Sequence, residues 1–450
     1  MTASLPSSPS VGFISLGCAK NLVDSEHMAA VLRSEGIGLA SSPETADVVL
    51  VNTCGFIGDA KTESIDAILR ACAWKQSGAC KAVVVAGCLI QRYKKELQRA
   101  IPEVDAFIGL DQLPEIGRLV RRLALGEHGI LTVSAVSRKI FSPLPSRLVL
   151  TGGPFAYLKI AEGCNHRCAF CAIPGIRGRY RSRSEDDVVR EAETLLGQGI
   201  RELNLISQDT TRYGQDRKDG ASLPRLLRQL GKIGGDFWIR LLYGHPAYLT
   251  DELLDCMGAV PQVCRYLDIP IQHADEQVLR AMQRPGGARA VRDYPERARA
   301  RLPGVVLRTT CLVGFPGETA RQFQELVRFV RHTEFDHLGV FAFSPEETTM
   351  AATMKGQVSA STGRRRREHL MTVQQEIAFR KASVRRGGED LALLLKPLRR
   401  NVWEARVRGQ APAVDGLTRV SGCGAAAKPG DRVPVRYTGA SGYDMKAQVI

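Results

Sequence analysis

Short runs rich in β-branched residues alternate with longer helical patterns through most of this chain, and that alternation restricts it to parallel sheets covered by helices. Near the start the runs are 11–16, 46–51 and 81–86, separated by helical patterns such as 25–34 and 60–75. Farther on they are 156–161, 202–207, 238–243, 266–270, 305–310 and 338–343. The first set reads as βαβ units on a parallel sheet. The second reads as six strand–helix units, a partial barrel short of the usual eight and open on one side. Both architectures keep their ligands outside the carboxyl ends of the strands.

Those ends carry thiols. The run at 156–161 leads into Gly163-Cys164-Asn165-His166-Arg167-Cys168-Ala169-Phe170-Cys171, three cysteines in a C-x3-C-x2-C spacing. Three thiolates on a cubic iron–sulfur cluster leave one iron open to a substrate or cosubstrate, whereas a closed four-cysteine site carries electrons or stabilises a fold. Zinc with His166 as fourth ligand is the competing reading, since soft thiolates suit both. Structural zinc sites, however, usually draw their ligands as two separated pairs.

The three N-terminal runs also end in cysteine, as Gly17-Cys18, Thr53-Cys54 and Gly87-Cys88. Neighbouring strands about 5 Å apart can bring three such residues to one edge. Glycine beside them lets backbone approach a bulky inorganic group. Each alone reads equally as a small buried hydrophobe; three at equivalent strand ends predict a second three-thiolate site with an open iron. Cys72, Cys80, Cys256, Cys264, Cys311 and Cys423 follow no such pattern and read as packing residues.

The 450 residues predict two to four domains. We divide them as a Ser- and Pro-rich disordered tail at 1–10, a parallel-sheet domain at 11–125, a linker at 126–150, the partial barrel at 151–379 and a small antiparallel β-barrel at 380–450. No apolar stretch is long enough to span a bilayer, and the N-terminus has neither the basic start nor the apolar core of a signal peptide. Twelve cysteines in a chain of cytoplasmic character point to metal or redox chemistry. A net charge of +15 predicts an acidic partner, RNA first. Part of that excess is the run Arg364-Arg365-Arg366-Arg367, which reads as a solvated helix face.

With these residues in place, the chain resembles the radical S-adenosylmethionine superfamily, whose hallmark is the C-x3-C-x2-C loop. Within it the resemblance is to methylthiotransferases, which join an N-terminal three-cysteine domain, a radical barrel and a C-terminal TRAM domain. The stretches Ser15-Leu-Gly-Cys-Ala-Lys-Asn-Leu-Val-Asp-Ser-Glu26, Val51-Asn-Thr-Cys-Gly-Phe-Ile57, Arg179-Tyr-Arg-Ser-Arg183, Ser207-Gln-Asp-Thr-Thr211 and Leu267-Asp-Ile-Pro-Ile-Gln-His273 narrow it further. They are similar to the branch acting on an aspartate of the twelfth protein of the small ribosomal subunit. The transfer-RNA branch more typically reads Gly-Cys-Gln-Met-Asn near the first cysteine, with Ser and Gly after the glutamine where this chain has His273. The chain departs from the family at Thr348 and Met350, often Gly and Pro, and at Ala413, often acidic.

The resemblance implies one 4Fe–4S cluster on Cys164, Cys168 and Cys171, with S-adenosylmethionine as both radical source and methyl donor. It implies a second 4Fe–4S cluster on Cys18, Cys54 and Cys88, bearing the sulfur to be inserted at the aspartate β-carbon. A radical is needed because that carbon has no hydrogen that acid–base chemistry removes easily. Reductant and sulfur-donor proteins are implied partners, and no membrane is; because ribosomal proteins are usually basic, as this chain is, ribosomal RNA is expected to mediate their encounter. For cofactor contacts we single out Gln208, Asp209 and Asp268, Arg308 as partner of the methionyl carboxylate, and Gly314, Gly317 and Glu318 for close backbone approach. Each has a structural counterpart: buried polar pairing, an internal salt bridge, and a tight turn with a glutamate cap. His245 and His273 read as substrate contacts or as core histidines. A transfer-RNA adenosine methylthiotransferase and a non-enzymatic iron–sulfur RNA-binding protein are the alternative functions.

Overall fold

The computed structural model describes residues 9–141 and 147–450; residues 1–8 of the tail expected at 1–10 and residues 142–146 of the linker lie outside the described residues, and Ser10 already opens a strand. The chain forms two compact units. One holds the residues up to 150 with 161–165 and 171–183, and the other holds 151–160, 166–170 and 184–450.

In the first unit a six-stranded sheet runs in the order Gly38–Leu39, Ser10–Ser15, Val48–Thr53, Ala82–Gly87, Ala106–Ile108, Ile130–Thr132. Every pairing is parallel. Val48–Thr53 and Ala82–Gly87 are buried along their whole length, which is why they read as unbroken apolar runs. Their side chains alternate between two cores. Val48, Leu50, Val84 and Ala86 join Met28 and Leu32 on one face, while Val49, Val51, Val83 and Val85 join Ala67, Ile68 and Ala71 on the other. Each such valine contributes on the order of 1.5–3 kcal/mol relative to exposure. A charge at Val84 would be buried without a partner.

Register levels the strand ends: Ser15 lies opposite Asn52, and Thr53 opposite Gly87. The helix after the first strand, Ala19–Ser34, starts six residues before the pattern predicted. Its buried positions include Lys20, Asn21, Asp24, Ser25, Glu26 and His27, so no apolar period marks its first turns. The expected linker also begins later than residue 126, because Ile130–Thr132 completes the sheet. Beyond it the Asp111 carboxylate accepts hydrogen bonds from the Ser137 hydroxyl and the Arg138 and Lys139 amides.

In the second unit six parallel strands stand in chain order across the sheet: Phe155–Lys159, Glu202–Ile206, Trp238–Leu241, Val263–Asp268, Val306–Val313 and His337–Ala342. Their helices start at polar caps. Ser184 accepts from Asp187 N–H ahead of three acidic first-turn residues, and Thr319 with Gln322 forms a reciprocal capping box. The last helix, Ala360–Val384, passes straight through the expected 379/380 boundary, since neither Gly nor Pro occurs from 364 to 386.

The C-terminal strands Glu389–Arg399, Val402–Val407, Thr418–Ser421, Asp444–Val449 and Arg432–Ser441 close into a barrel. Its pairings are antiparallel except between Thr418–Ser421 and Asp444–Val449, which run parallel. The small barrel is fastened to the larger sheet by buried charge. Glu202 receives Arg240 of the sheet at 2.8 Å and Arg406 of the barrel at 2.6 Å. Asp415, from a barrel loop, accepts the Tyr266 hydroxyl at 2.6 Å.

Candidate metal and cofactor site

The N-terminal triad occupies three strand-to-helix turns. Cys18 is the N-cap of Ala19–Ser34, Cys88 is the first residue of Cys88–Ala100, and Cys54 lies between Val48–Thr53 and Gly58–Gln76. Helix N-termini favour negative charge and therefore thiolate. The glycines are obligatory. Gly17 has φ +87°, and a Cβ there would lie 2.7 Å from the Cys54 Cβ and 3.0 Å from its Sγ. Gly87 has φ +100°, and a Cβ there would lie 2.4 Å from Asn52 Oδ1. The Asn21 amide bridges the first two turns, donating to the carbonyls of Leu16 at 2.7 Å and Thr53 at 3.2 Å.

The thiols act on one another. Burial raises Cys88 first, Arg177 opposes it, and Cys18 and Cys54 raise it further; the net effect pushes it up to about 12. Cys54 is also raised, by burial and then by Cys18. Such sulfurs ionise when a metal takes them, so loading releases protons. The donor set fits the group the sequence implies: three soft sulfurs at level strand ends, glycine cradles beside them, and an arginine N–H already given to one sulfur, Arg177 Nη2 to Cys88 Sγ at 3.3 Å. Among the described residues no three Cys, His, Asp or Glu side chains are drawn together as a single-ion site.

The loop triad is built by turns. Gly163 has φ +82°, and a Cβ there would lie 2.2 Å from the Arg179 carbonyl oxygen. The Cys164 amide donates to the Gly178 carbonyl at 3.1 Å, and Ala161–Glu162 pairs antiparallel with Arg181–Ser182. The 179–183 stretch picked out in the sequence is thus the partner of the strand that feeds the loop. Cys164 and Cys171 belong to the first unit and Cys168 to the second. Around Cys168, Arg284 Nη1 approaches Sγ at 3.8 Å, and Ala169 N–H donates to the Met282 carbonyl at 2.9 Å. His166 Nε2 lies 2.6 Å from the Asp209 carboxylate, with its ring stacked on Tyr248. That nitrogen is engaged by Asp209.

The remaining candidates are placed as follows. Asp209 takes the Thr211 hydroxyl on its other oxygen at 2.5 Å. Gln208 is half-buried beside it. Asp268 accepts from the Tyr243 amide at 3.0 Å and from Arg308 at 2.9 Å, and Arg308 also reaches Asp415 at 3.3 Å. Arg308 therefore forms an internal salt bridge with Asp268 and Asp415. Glu318 accepts from the amides of Gly314 and Phe315, and its other oxygen meets Arg366 at 3.2 Å. Gly314 and Gly317, at φ +75° and +82°, make the turn, and the space over Gly317 is open. His273 lies near Glu318, at 3.9 Å. His245 is held neutral, its pKa lowered by burial and then by Arg284, His166 and Arg212; its Nδ1 accepts the Ala247 amide. Arg366 and Arg367 of the arginine run are not a purely solvated face, since Arg366 pairs with Glu318 and Arg367 donates to the Val340 carbonyl. Sequence reasoning missed Asn21, Arg177 and Arg284, which are single polar residues marked by no spacing of their own.

Three family models match in succession: the uncharacterized protein family UPF0004 over residues 10–109, the radical SAM superfamily over 158–330, and the TRAM domain over 388–450. Among solved structures, the radical S-adenosylmethionine methyltransferase TsrM of Kitasatospora setae aligns with TM-score 0.57 at 14% identity, covering 77% of this chain and 74% of that one. The cobalamin-dependent radical enzyme OxsB aligns with TM-score 0.53 at 13% identity, covering 82% and 56%. These likenesses concern the fold. Fold, thiol loop and module order together define a radical S-adenosylmethionine enzyme with a C-terminal TRAM barrel.

Curated relatives sharpen the class. A protein of Syntrophus aciditrophicus is 45% identical over 98% of both chains, one of Symbiobacterium thermophilum 46% over 97% of this chain and 90% of its own, and one of Sorangium cellulosum 42% over 99% and 91%. Each is named ribosomal protein uS12 methylthiotransferase RimO. This chain belongs to the RimO family.

Proposed function

We propose that this chain methylthiolates the β-carbon of an aspartate in ribosomal protein uS12, with one 4Fe–4S cluster on Cys164, Cys168 and Cys171 and another on Cys18, Cys54 and Cys88. The observation that carries the reading is the second triad: three thiols on separate turns, levelled by strand register and hemmed by glycines that tolerate no side chain. When bound, the clusters and S-adenosylmethionine supply the one-electron chemistry and the methylthio group. The protein's own residues hold, orient and shield. The six thiols give up their protons on loading. Arg177 and Arg284 direct N–H groups at Cys88 and Cys168. The Asp209–His166 bond steadies the loop between its first two cysteines. We assign Gln208, Asp209 and the backbone of Gly314 and Gly317 to the ribose and amino-acid atoms of the cofactor. Asp268, Arg308 and Glu318 brace those contacts through the pairs already described.

Substrate capture falls to the TRAM barrel. The exposed end of the strand Glu389–Arg399 and the turn after it, with Lys396, Arg399 and Arg400, are suited to the phosphates of ribosomal RNA beside the protein substrate. Because uS12 is expected to be basic, as this chain is, RNA would relieve the like-charge repulsion. Atom and electron balance call for a sulfur donor and a reductant. None of the helices among the described residues is long and apolar enough to cross a membrane, and we place the enzyme in the cytoplasm with the ribosome. The test is a side-by-side assay of uS12 and transfer RNA under anaerobic reduction. Mass gain on the aspartate and about eight irons per chain are expected; modification of adenosine alone would overturn the assignment.

A further inference from the structure

Arg177 ends the short helix Ile173–Arg177, six residues beyond Cys171. Its guanidinium is buried, and all of its partners lie in the first unit. Nη1 meets both carboxylate oxygens of Glu162 at 3.0 Å, two residues ahead of Cys164. Nη2 meets Asp24 at 2.9 Å and Asn21 at 3.4 Å, on the helix that begins after Cys18. The same nitrogen lies 3.3 Å from Cys88 Sγ. One planar cation therefore touches the strand entering the radical loop, the helix capped by Cys18, and a sulfur of the N-terminal triad.

We infer that Arg177 is a positioning residue that ties the two triads together and raises the reduction potential of the N-terminal cluster. A positive charge and an N–H on a ligating sulfur stabilise the more negative, reduced state of a cluster. Only a fork can satisfy Glu162 on one nitrogen and leave the other for Asp24 and sulfur; an ammonium is a point charge. The guanidinium stays charged at every working pH, so the effect is permanent. An electron entering a chain with two clusters settles on the one of higher potential, so Arg177 biases how that electron divides.

The inference rests on Cys18, Cys54 and Cys88 as cluster ligands, and the test separates the two. The full chain carrying Cys164→Ala, Cys168→Ala and Cys171→Ala isolates the N-terminal site. About four irons are expected there after anaerobic reconstitution; no iron would sink the ligand assignment itself. In that background Arg177→Met is expected to lower the midpoint potential in a redox titration followed by electron paramagnetic resonance. An unmoved potential with four irons bound overturns the inference. If the methionine variant does not hold its cluster, Arg177→Gln, equally uncharged, is read by the same criterion. In the chain that keeps all six proposed ligand cysteines, Arg177→Lys is expected to cut the ratio of methylthiolated aspartate to 5′-deoxyadenosine by about tenfold, as losses outside the ligand shell do. An unchanged ratio removes the tie between the triads.

Discussion

The loop triad and the N-terminal triad reach similar chemistry by opposite routes. Cys164, Cys168 and Cys171 come from one continuous stretch, so turn geometry at Gly163 and Gly178 shapes them locally. Cys18, Cys54 and Cys88 come from three turns spread over 71 positions (88 − 18 + 1), and the register of a parallel sheet brings them level. A local site tolerates distant damage; a site made by register inherits every defect of its sheet.

The hardest break in that comparison is removal of one ligand from each side. Cys164→Ala should abolish 5′-deoxyadenosine formation outright, whereas Cys54→Ala should retain it and lose sulfur insertion. Chromatography of both products from the two variants decides it, and methylthiolation by Cys54→Ala would refute the second site. Next come the glycines. Gly17→Ala and Gly163→Ala each place a side chain at positive φ, about 1–2 kcal/mol from the backbone alone, and against occupied space. The first should halve iron content by emptying the sheet site, and the second should empty the loop; iron counts in the Cys-deleted backgrounds tell which half is lost.

A smaller effect is the pH dependence of the metal-free chain. Cys88 has a folded pKa raised to about 12, above an unfolded value near 8.5. Its protonated burial stabilises the fold fully below the unfolded value, and that stability is lost as pH rises from about 8.5 toward 12. Denaturant melts across this window should show a decline that Cys88→Ala flattens. The smallest effect is a control touching neither triad. Thr348, where the family often has glycine, sits at φ +71°, costly for a β-branched side chain. Thr348→Gly should raise stability by about 1 kcal/mol, read as a small increase in Tm, with iron content unchanged.

What could be read from the sequence follows the same division. The loop was legible because its spacing is local, and the buried strands because β-branched runs survive in any context. The short strands Gly38–Leu39, Ala106–Ile108 and Ile130–Thr132 are too brief to carry a period. The start of Ala19–Ser34 was hidden because its inner face is polar, carrying Asn21 and Asp24 toward the thiol turns. The second triad was visible only as a coincidence of strand ends. Arg177 could not be seen at all, since its partners at 24, 88 and 162 meet only after folding.

Glu202 has a consequence for how such chains evolve. Its carboxylate is shared by Arg240 of the radical sheet and Arg406 of the TRAM barrel, all three buried. Exchanging the C-terminal module for one without that arginine would strand charge in a dry interface, at about 3–5 kcal/mol for a broken buried pair. The two modules are therefore expected to behave as a matched set: a chimera should keep its stability only where both halves of the lock come together, and a change at 202, 240 or 406 should need a compensating change in its partner.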